Sequence, residues 1–348
     1  MMRRESSPGE RDSSVMTAAI ASDEPRSHEA STRSRFKIAR LSLRDWIRRA
    51  GVLLPLALIW IYLAVDVDVF LTTYNLNNLL LQGAVIGVLA FGTTFALLTE
   101  QIDLSIGAVA GTSAVGAAYV LVNYGWPWYM GVVAGVGVGF LFGVANGIFS
   151  TAFGIPSFIT TLATLGIASG ISYNLTGGES LYNFPEKFQD IGQGHIFGVR
   201  SPIVIALGVL VVLQFVLKRT RFGMSVYSVG DNASAAGLAG IRTMRIKAYA
   251  MIISGTCAGI AGVLLAAQLN TANPGFGAAT LLPAIAAVVI GGTALTGGVG
   301  SVFGTALGVL VIVTLQNGLD LKGVNPFWKE PVIGAVILSV AVLDRRRR

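Results

Sequence analysis

Long apolar runs alternate with short polar breaks from about residue 50 to the end of the chain. A helix that crosses the hydrocarbon of a bilayer takes about 20 residues. Ten runs approach that length: 50–65, 76–98, 104–122, 128–150, 157–175, 201–217, 248–269, 279–296, 299–318 and 327–343. The pattern predicts an all-α polytopic membrane protein, rich in small residues, with about ten transmembrane helices. Eight full spans are the alternative, with two short runs re-entrant. Pro156, Pro202 and Pro283 fall at or near helix starts, where a missing N–H is tolerated. Residues 1–45 are rich in Ser, Arg, Glu and Pro and have no apolar periodicity, so a disordered tail is expected there. Within its end, residues 36–49 (FKIARLSLRDWIRR) have the pattern of a basic amphipathic helix on a membrane surface. Residues 46–348 are expected to form one transmembrane domain, with 218–247 as its long basic-flanked loop. No signal peptide is evident, because the first apolar run ends at Val65-Asp66 without a small-x-small pattern.

Charge orders these runs. Only 12% of residues are charged and the mean hydropathy is +0.68, against about a quarter charged in a soluble domain. With the N-terminus inside, ten spans place all but four of the 25 Lys and Arg residues on the inner side. The four are Lys187, Arg200, Lys322 and Lys329. This is the bias the positive-inside rule requires, and it implies an even span count with both termini cytoplasmic in the plasma (inner) membrane. It also reads the net charge of +7 as topology rather than nucleic-acid binding. The 43 glycines suit helices whose backbones approach closely in lipid. A single cysteine, Cys257, rules out an internal disulfide, and His28 and His195 lie in separate polar segments, so no metal site is expected on them.

The chain lacks the signatures of an engine. It has no G-x-x-x-x-G-K-[ST] loop, no HExxH and no GxSxG. No catalytic residue and no bound cofactor are expected. Ionisable residues are essentially absent from the runs: Glu100 and Asp103 sit at a turn, and Lys329 and Glu330 at an outer end. A proton- or sodium-coupled carrier usually keeps such a group in the bundle. Sodium sites built from backbone carbonyls keep a secondary carrier as an alternative. A membrane-embedded enzyme is disfavoured by the lack of clustered ionisable groups. Uphill transport would therefore draw its energy from a partner.

Residues 228–241 read SVGDNASAAGLAGI, between Lys218, Arg219, Arg221 and Arg242, Arg245, Lys247. Asp231 has N-cap chemistry, Ala233 to Ala239 favour a short helix, and Gly240 suits the left-handed residue that ends it. A small weakly charged helix held at both ends fits a groove on another protein; a plain surface loop is the other reading. A weak internal echo relates 95–111 to 289–308, each an apolar helix, a polar turn and a small-residue helix.

Four ordered motifs carry a family resemblance over about residues 50–343. Arg221 to Ile241 resembles the cytoplasmic loop of ribose-type (monosaccharide) ABC importer permeases, matching at Gly223, Gly230, Asn232, Ala235, Ala236, Gly240 and Ile241, with Ser234 where an acidic residue is usual. Thr99-Glu-Gln-Ile-Asp103-Leu-Ser105-Ile-Gly107 resembles the family's T-G-G-I-D-L-S-V-G segment, with Glu100 and Gln101 replacing its glycines. Gly154 to Gly178 and Ala286 to Gly304 match two further segments. The resemblance implies a permease subunit of a binding-protein-dependent importer. Its partners would be an ABC ATPase carrying ATP and Mg, an extracytoplasmic solute-binding protein and a second permease subunit, within membrane lipid. Residues 231–241 would be the coupling helix, with Gly223 and Gly230 beside it. Candidates for the path or a gate are Asp103, Ser105, Phe158, Thr161, Asn174, Gly291 and Gly292. Asp103 is expected to cap a helix starting at Leu104, and the Gly291-Gly292 and Gly297-Gly298 pairs to make tight turns. Other ABC solutes (branched-chain amino acids, nucleosides, signalling molecules) are alternatives.

Overall fold

In a computed structural model that describes residues 43–346, every one of the ten apolar runs is helical. The helices are α1 (Leu43–Asp66), α2 (Thr73–Leu98), α3 (Ile106–Val122), α4 (Trp128–Thr151), α5 (Ser157–Thr176), α6 (Glu186–Gln193), α7 (Ser201–Arg219), α8 (Arg221–Asp231), α9 (Ala233–Leu238), α10 (Thr243–Leu269), α11 (Ala278–Ile290), α12 (Val302–Leu321) and α13 (Lys329–Arg346). Four two-residue strands accompany them: β1 (Leu181–Tyr182) pairs antiparallel with β4 (Thr271–Ala272), and β2 (His195–Ile196) with β3 (Val199–Arg200). The protein is thus mostly helical rather than all-α. The expected tail lies outside the described residues except for its last three, as does the first half of the expected surface helix. The second half of that helix is not separate: α1 runs unbroken from Leu43 into the first apolar run.

Six helices (α2, α4, α5, α7, α10 and α12) are long and apolar enough to cross a membrane. The apolar part of α1, with α3 and α11, is shorter. The run 279–296 is not one span. Helix α11 has 13 residues, a rise of about 20 Å, against a hydrocarbon thickness of about 30 Å. It stops at Ile290 because Gly291 and Gly292 follow, the latter at φ +86°. Helix α12 restarts only at Val302, where the Ser301 hydroxyl accepts the Gly304 N–H. The 176–200 connection, expected as a loop, holds α6 and three of the strands.

Burial divides the long helices. The best 18-residue window of α2 is 83% buried and that of α10 72%, whereas those of α4, α5 and α7 are 22–28%. Helices α2 and α10 are the axis, and the others pack around them. The tightest seam joins α4 to α10. Gly131, Gly135, Gly139, Gly143 and Gly147 recur every fourth residue on the buried face of α4. Opposite them lie Gly255 and Gly259 of α10; a Cβ on Gly139 would sit about 2.5 Å from the Gly259 nitrogen. In lipid no hydrophobic force draws helices together, so backbone approach through small residues supplies the attraction.

Candidate functional site

The 218–247 connection folds as two helices rather than one. Phe222, Val226 and Val229 recur at i, i+4 and i+7, the spacing of a helix with one apolar face. They form α8, whose N-terminus is capped by Thr220 Oγ1 accepting the Gly223 N–H at 3.2 Å. Gly223 is required at the α7–α8 corner, since a Cβ there would overlap the Leu217 carbonyl. Phe222 stacks on Phe95 of α2 with ring centroids 6.3 Å apart, and Val226 joins Phe91, Phe95 and Leu98 in one cluster.

The cap of α9 differs from expectation. Asp231 is the last residue of α8, and Asn232 is the N-cap, its Oδ1 accepting the Ala235 N–H at 2.9 Å. The extended backbone of Asn232 breaks the two helices and places its own amide, one residue past the carboxylate, over the first turn. The C-terminus follows expectation. Gly240 has φ +84°, its N–H bonds the Gly237 carbonyl and the Ile241 N–H reaches back to Ala236 at 3.0 Å, a Schellman closure. Ala236 is buried within the chain, whereas Ala235 and Gly237 are exposed and Leu238 is 93% exposed. Leu238 was legible as the one large apolar side chain in 230–240, and α8 from its i, i+4, i+7 spacing.

Beneath α8 the two echoing turns meet. The Gly298 N–H donates to the Leu98 carbonyl at 3.0 Å. Gly230, near the end of α8, lies on this bond: a Cβ on it would overlap the Leu98 oxygen and approach the Gly298 nitrogen. The Tyr227 hydroxyl donates to the Gly300 carbonyl at 2.7 Å. Gly291 packs against the Gly304–Thr305 backbone of α12, and Gly292 faces open space. One helix of the lobe therefore touches both the end of α2, just before the 99–105 turn, and the 291–301 turn.

The first of these turns exposes Glu100 and Ile102 and buries its other polar side chains. Asp103 is buried; its Oδ1 accepts from the Ser105 N–H at 3.0 Å and the Ser105 hydroxyl at 2.6 Å, and its Oδ2 from the Ser254 hydroxyl at 2.7 Å. Ser254 is about 16 Å along α10 from its start, so the carboxylate sits inside the bundle. The helix begins at Ile106 with Ser105 as its N-cap position, so Asp103 holds the turn rather than capping a helix at Leu104. The chain of bonds extends outward: Asn146 Nδ2 donates to Ser105 Oγ at 2.9 Å and Thr164 Oγ1 to Asn146 Oδ1 at 2.8 Å. Thr161 Oγ1 donates to the Ile102 carbonyl at 3.1 Å. Ser105, Ser254, Asn146 and Thr164 each donate toward the carboxylate, and with the Thr161 bond to Ile102 they bind α4, α5 and α10 to one turn.

Among the path candidates, the structure brings together Asp103, Ser105 and Thr161. Phe158 is exposed on α5, one turn from Thr161, and Asn174 is exposed near that helix's other end. Asn146 and Ser254 were missed. Asn146 carried a signal, an amide in an apolar run; Ser254 carried none. No group of three or more His, Cys, Asp or Glu able to hold a metal exists among the described residues.

Comparison with known proteins gives a consistent set. The family described as branched-chain amino acid transport system / permease component matches residues 75–341. The ribose import permease protein RbsC of Bacillus subtilis (strain 168) is 37% identical over 88% of this chain and 96% of its own length. The L-arabinose ABC transporter permease protein AraH of Azospirillum brasilense is 33% identical over 89% and 91%. The D-allose transport system permease protein AlsC of Escherichia coli (strain K12) is 32% identical over 91% and 96%.

Proposed function

Because this chain belongs to the branched-chain amino acid transport system permease component family, we propose that it carries a monosaccharide across the plasma membrane for an ATP-driven importer. Three similar relatives named for ribose, arabinose and allose support a sugar over the amino acid of the family's description. In this reading a separate ABC ATPase binds ATP and Mg, a binding protein delivers solute from outside, and two permease subunits pair around the path. The basic clusters support an inner position for the 218–247 lobe and for both termini. Asp103 is the one observation that favours a proton- or sodium-coupled carrier; that both of its oxygens already accept protein hydrogen bonds supports a structural role instead.

The observation that carries the coupling assignment is the position of Leu238. It stands on a short helix closed at both ends, and the adjoining helix of the same lobe abuts the end of α2 and the 291–301 turn. A nucleotide-driven push on α9 is thereby delivered to the 99–105 and 291–301 turns as a rigid-body displacement. Ala236, buried against its own chain, supports the lobe from within. In this account Leu238→Asp leaves membrane insertion and folding intact and abolishes copurification with the ATPase subunit, because a charge is buried without a partner in an apolar seat. Retention of the ATPase at wild-type yield by Leu238→Asp overturns the coupling assignment.

A further inference from the structure

At the end of the bundle away from the lobe, a cavity of about 510 Å³ opens between the start of α2, the end of α10 and the end of α12. Its size falls in the range of small-molecule sites, about 300–1,000 Å³. Five of its eleven lining residues carry side-chain amides. Asn75, Asn78 and Gln82 descend one face of α2, Gln268 comes from α10, and Asn317 and Asp320 from α12.

These groups divide into floor and free. Asn75 and Asn317 pair reciprocally, Nδ2 to Oδ1 at 3.0 and 2.7 Å, and tie α2 to α12. Asp320, the one charged residue of the lining, is held by Lys329 at 2.6 Å. The side-chain amides of Asn78, Gln82 and Gln268 have no partner among the described residues, and Gln268 Oε1 is buried. Gln82 lies about 13 Å along α2 from its start, a depth at which an unpaired amide facing lipid is costly. An amide offers both donor and acceptor, the complement of a hydroxyl. The lining presents no unpaired charge.

We propose that this cavity is a binding site for a neutral polyhydroxylated solute, held by the amides of Asn78, Gln82 and Gln268. The inference rests on the sugar-permease reading for its choice of probe, but not for its geometry. In transport it would be the first place within the membrane subunit where a released solute exchanges water for protein hydrogen bonds.

The test uses the full chain in nanodiscs carrying Tyr74→Cys, an exposed lining position outside the three amides, labelled with a membrane-impermeant thiol reagent. Cys257, the single native cysteine, is buried and leaves the background low. D-ribose or L-arabinose is expected to protect Tyr74→Cys, and L-leucine is not. Adding Gln82→Leu or Gln268→Leu is expected to raise the protecting concentration about tenfold, the effect of losing one hydrogen-bonding partner. Absence of protection by both sugars, equal protection by L-leucine, or protection unchanged by both substitutions overturns the site. ATP-driven uptake in vesicles containing the ATPase and the binding protein separates the two claims. Uptake without protection removes the site and leaves the permease reading standing. Protection without uptake supports the site and removes that reading.

Discussion

At the lobe end of the bundle the chain meets itself backbone to backbone; at the opposite end it meets itself through amides and ion pairs. Leu98, Gly230 and Gly298 touch with no side chain between them. Around the cavity at that opposite end, by contrast, Asn75 holds Asn317 and Lys329 holds Asp320, while three further amides are left without partners. The difference is mechanical as well as chemical. Backbone contacts have no rotamers to absorb a displacement, so a junction made of them passes motion on. Long polar side chains can swing between protein, water and solute, so a surface made of them can bind and release.

The comparison breaks first at Gly230. Gly230→Val drives a branched side chain into the Leu98 carbonyl and parts the Gly298–Leu98 hydrogen bond. Overpacking costs about 1–3 kcal/mol and an orphaned buried backbone group about as much again. The expected result is a large fall in the unfolding midpoint in detergent, with loss of uptake. Gly237→Ala, in open space on α9, is the control and leaves the midpoint unchanged or slightly raised. Equal behaviour of the two variants would mean that the junction is not close-packed.

The opposite end responds differently, because its contacts run through side chains that can be replaced. Asn317→Leu strands the Asn75 amide and costs about 1–3 kcal/mol, and Asn75→Leu costs more because it also removes the bond to the Phe70 carbonyl. The double variant recovers the part of the loss that comes from the stranded partner amide, and keeps the part that comes from Phe70. A double-mutant cycle on unfolding midpoints measures the coupling. Additive losses would show that the two amides do not act as a pair.

The two ends were also unequally legible. The lobe end lies within short sequence motifs: Gly223, Gly230 and Gly240 each stand where a Cβ or a negative φ is excluded, so local spacing carries the information. Asn232 against Asp231 shows its limit, since either residue can cap and only the α8 backbone decides which is in place. The ten helical runs were readable from hydropathy. The early stop of α11 was not, because Gly291-Gly292 followed by Thr-Ala-Leu remains apolar on average while the backbone has already turned. The cavity at the opposite end was invisible for a different reason. Asn75 and Asn317 are separated by 242 positions, and nothing local marks residues that meet only after the whole bundle closes. Asp103 was singled out, but its depth follows from Ser254, which no motif contained.

Tyr227 gives the smallest and sharpest test of the junction. Its hydroxyl spans from α8 to the Gly300 carbonyl as a donor, which requires the neutral phenol. Burial raises its pKa above the ordinary value of 10.0, because the phenolate is the poorly solvated form. A group whose folded pKa is raised adds stability that is complete below the unfolded value and lost as pH rises through the folded one. Tyr227→Phe is therefore expected to lower stability by about 0.5–1.5 kcal/mol at pH 7 to 9. Above pH 10 the wild-type advantage shrinks as the unfolded phenol ionises ahead of the folded one, and the two unfolding midpoints converge. The amide pair of the opposite end has no titrating group, so the Asn75→Leu deficit stays constant over the same range. A Tyr227→Phe deficit that is equally flat would show that the phenol does not bear on the 291–301 turn, and that α8 is fastened to it by Gly230 alone.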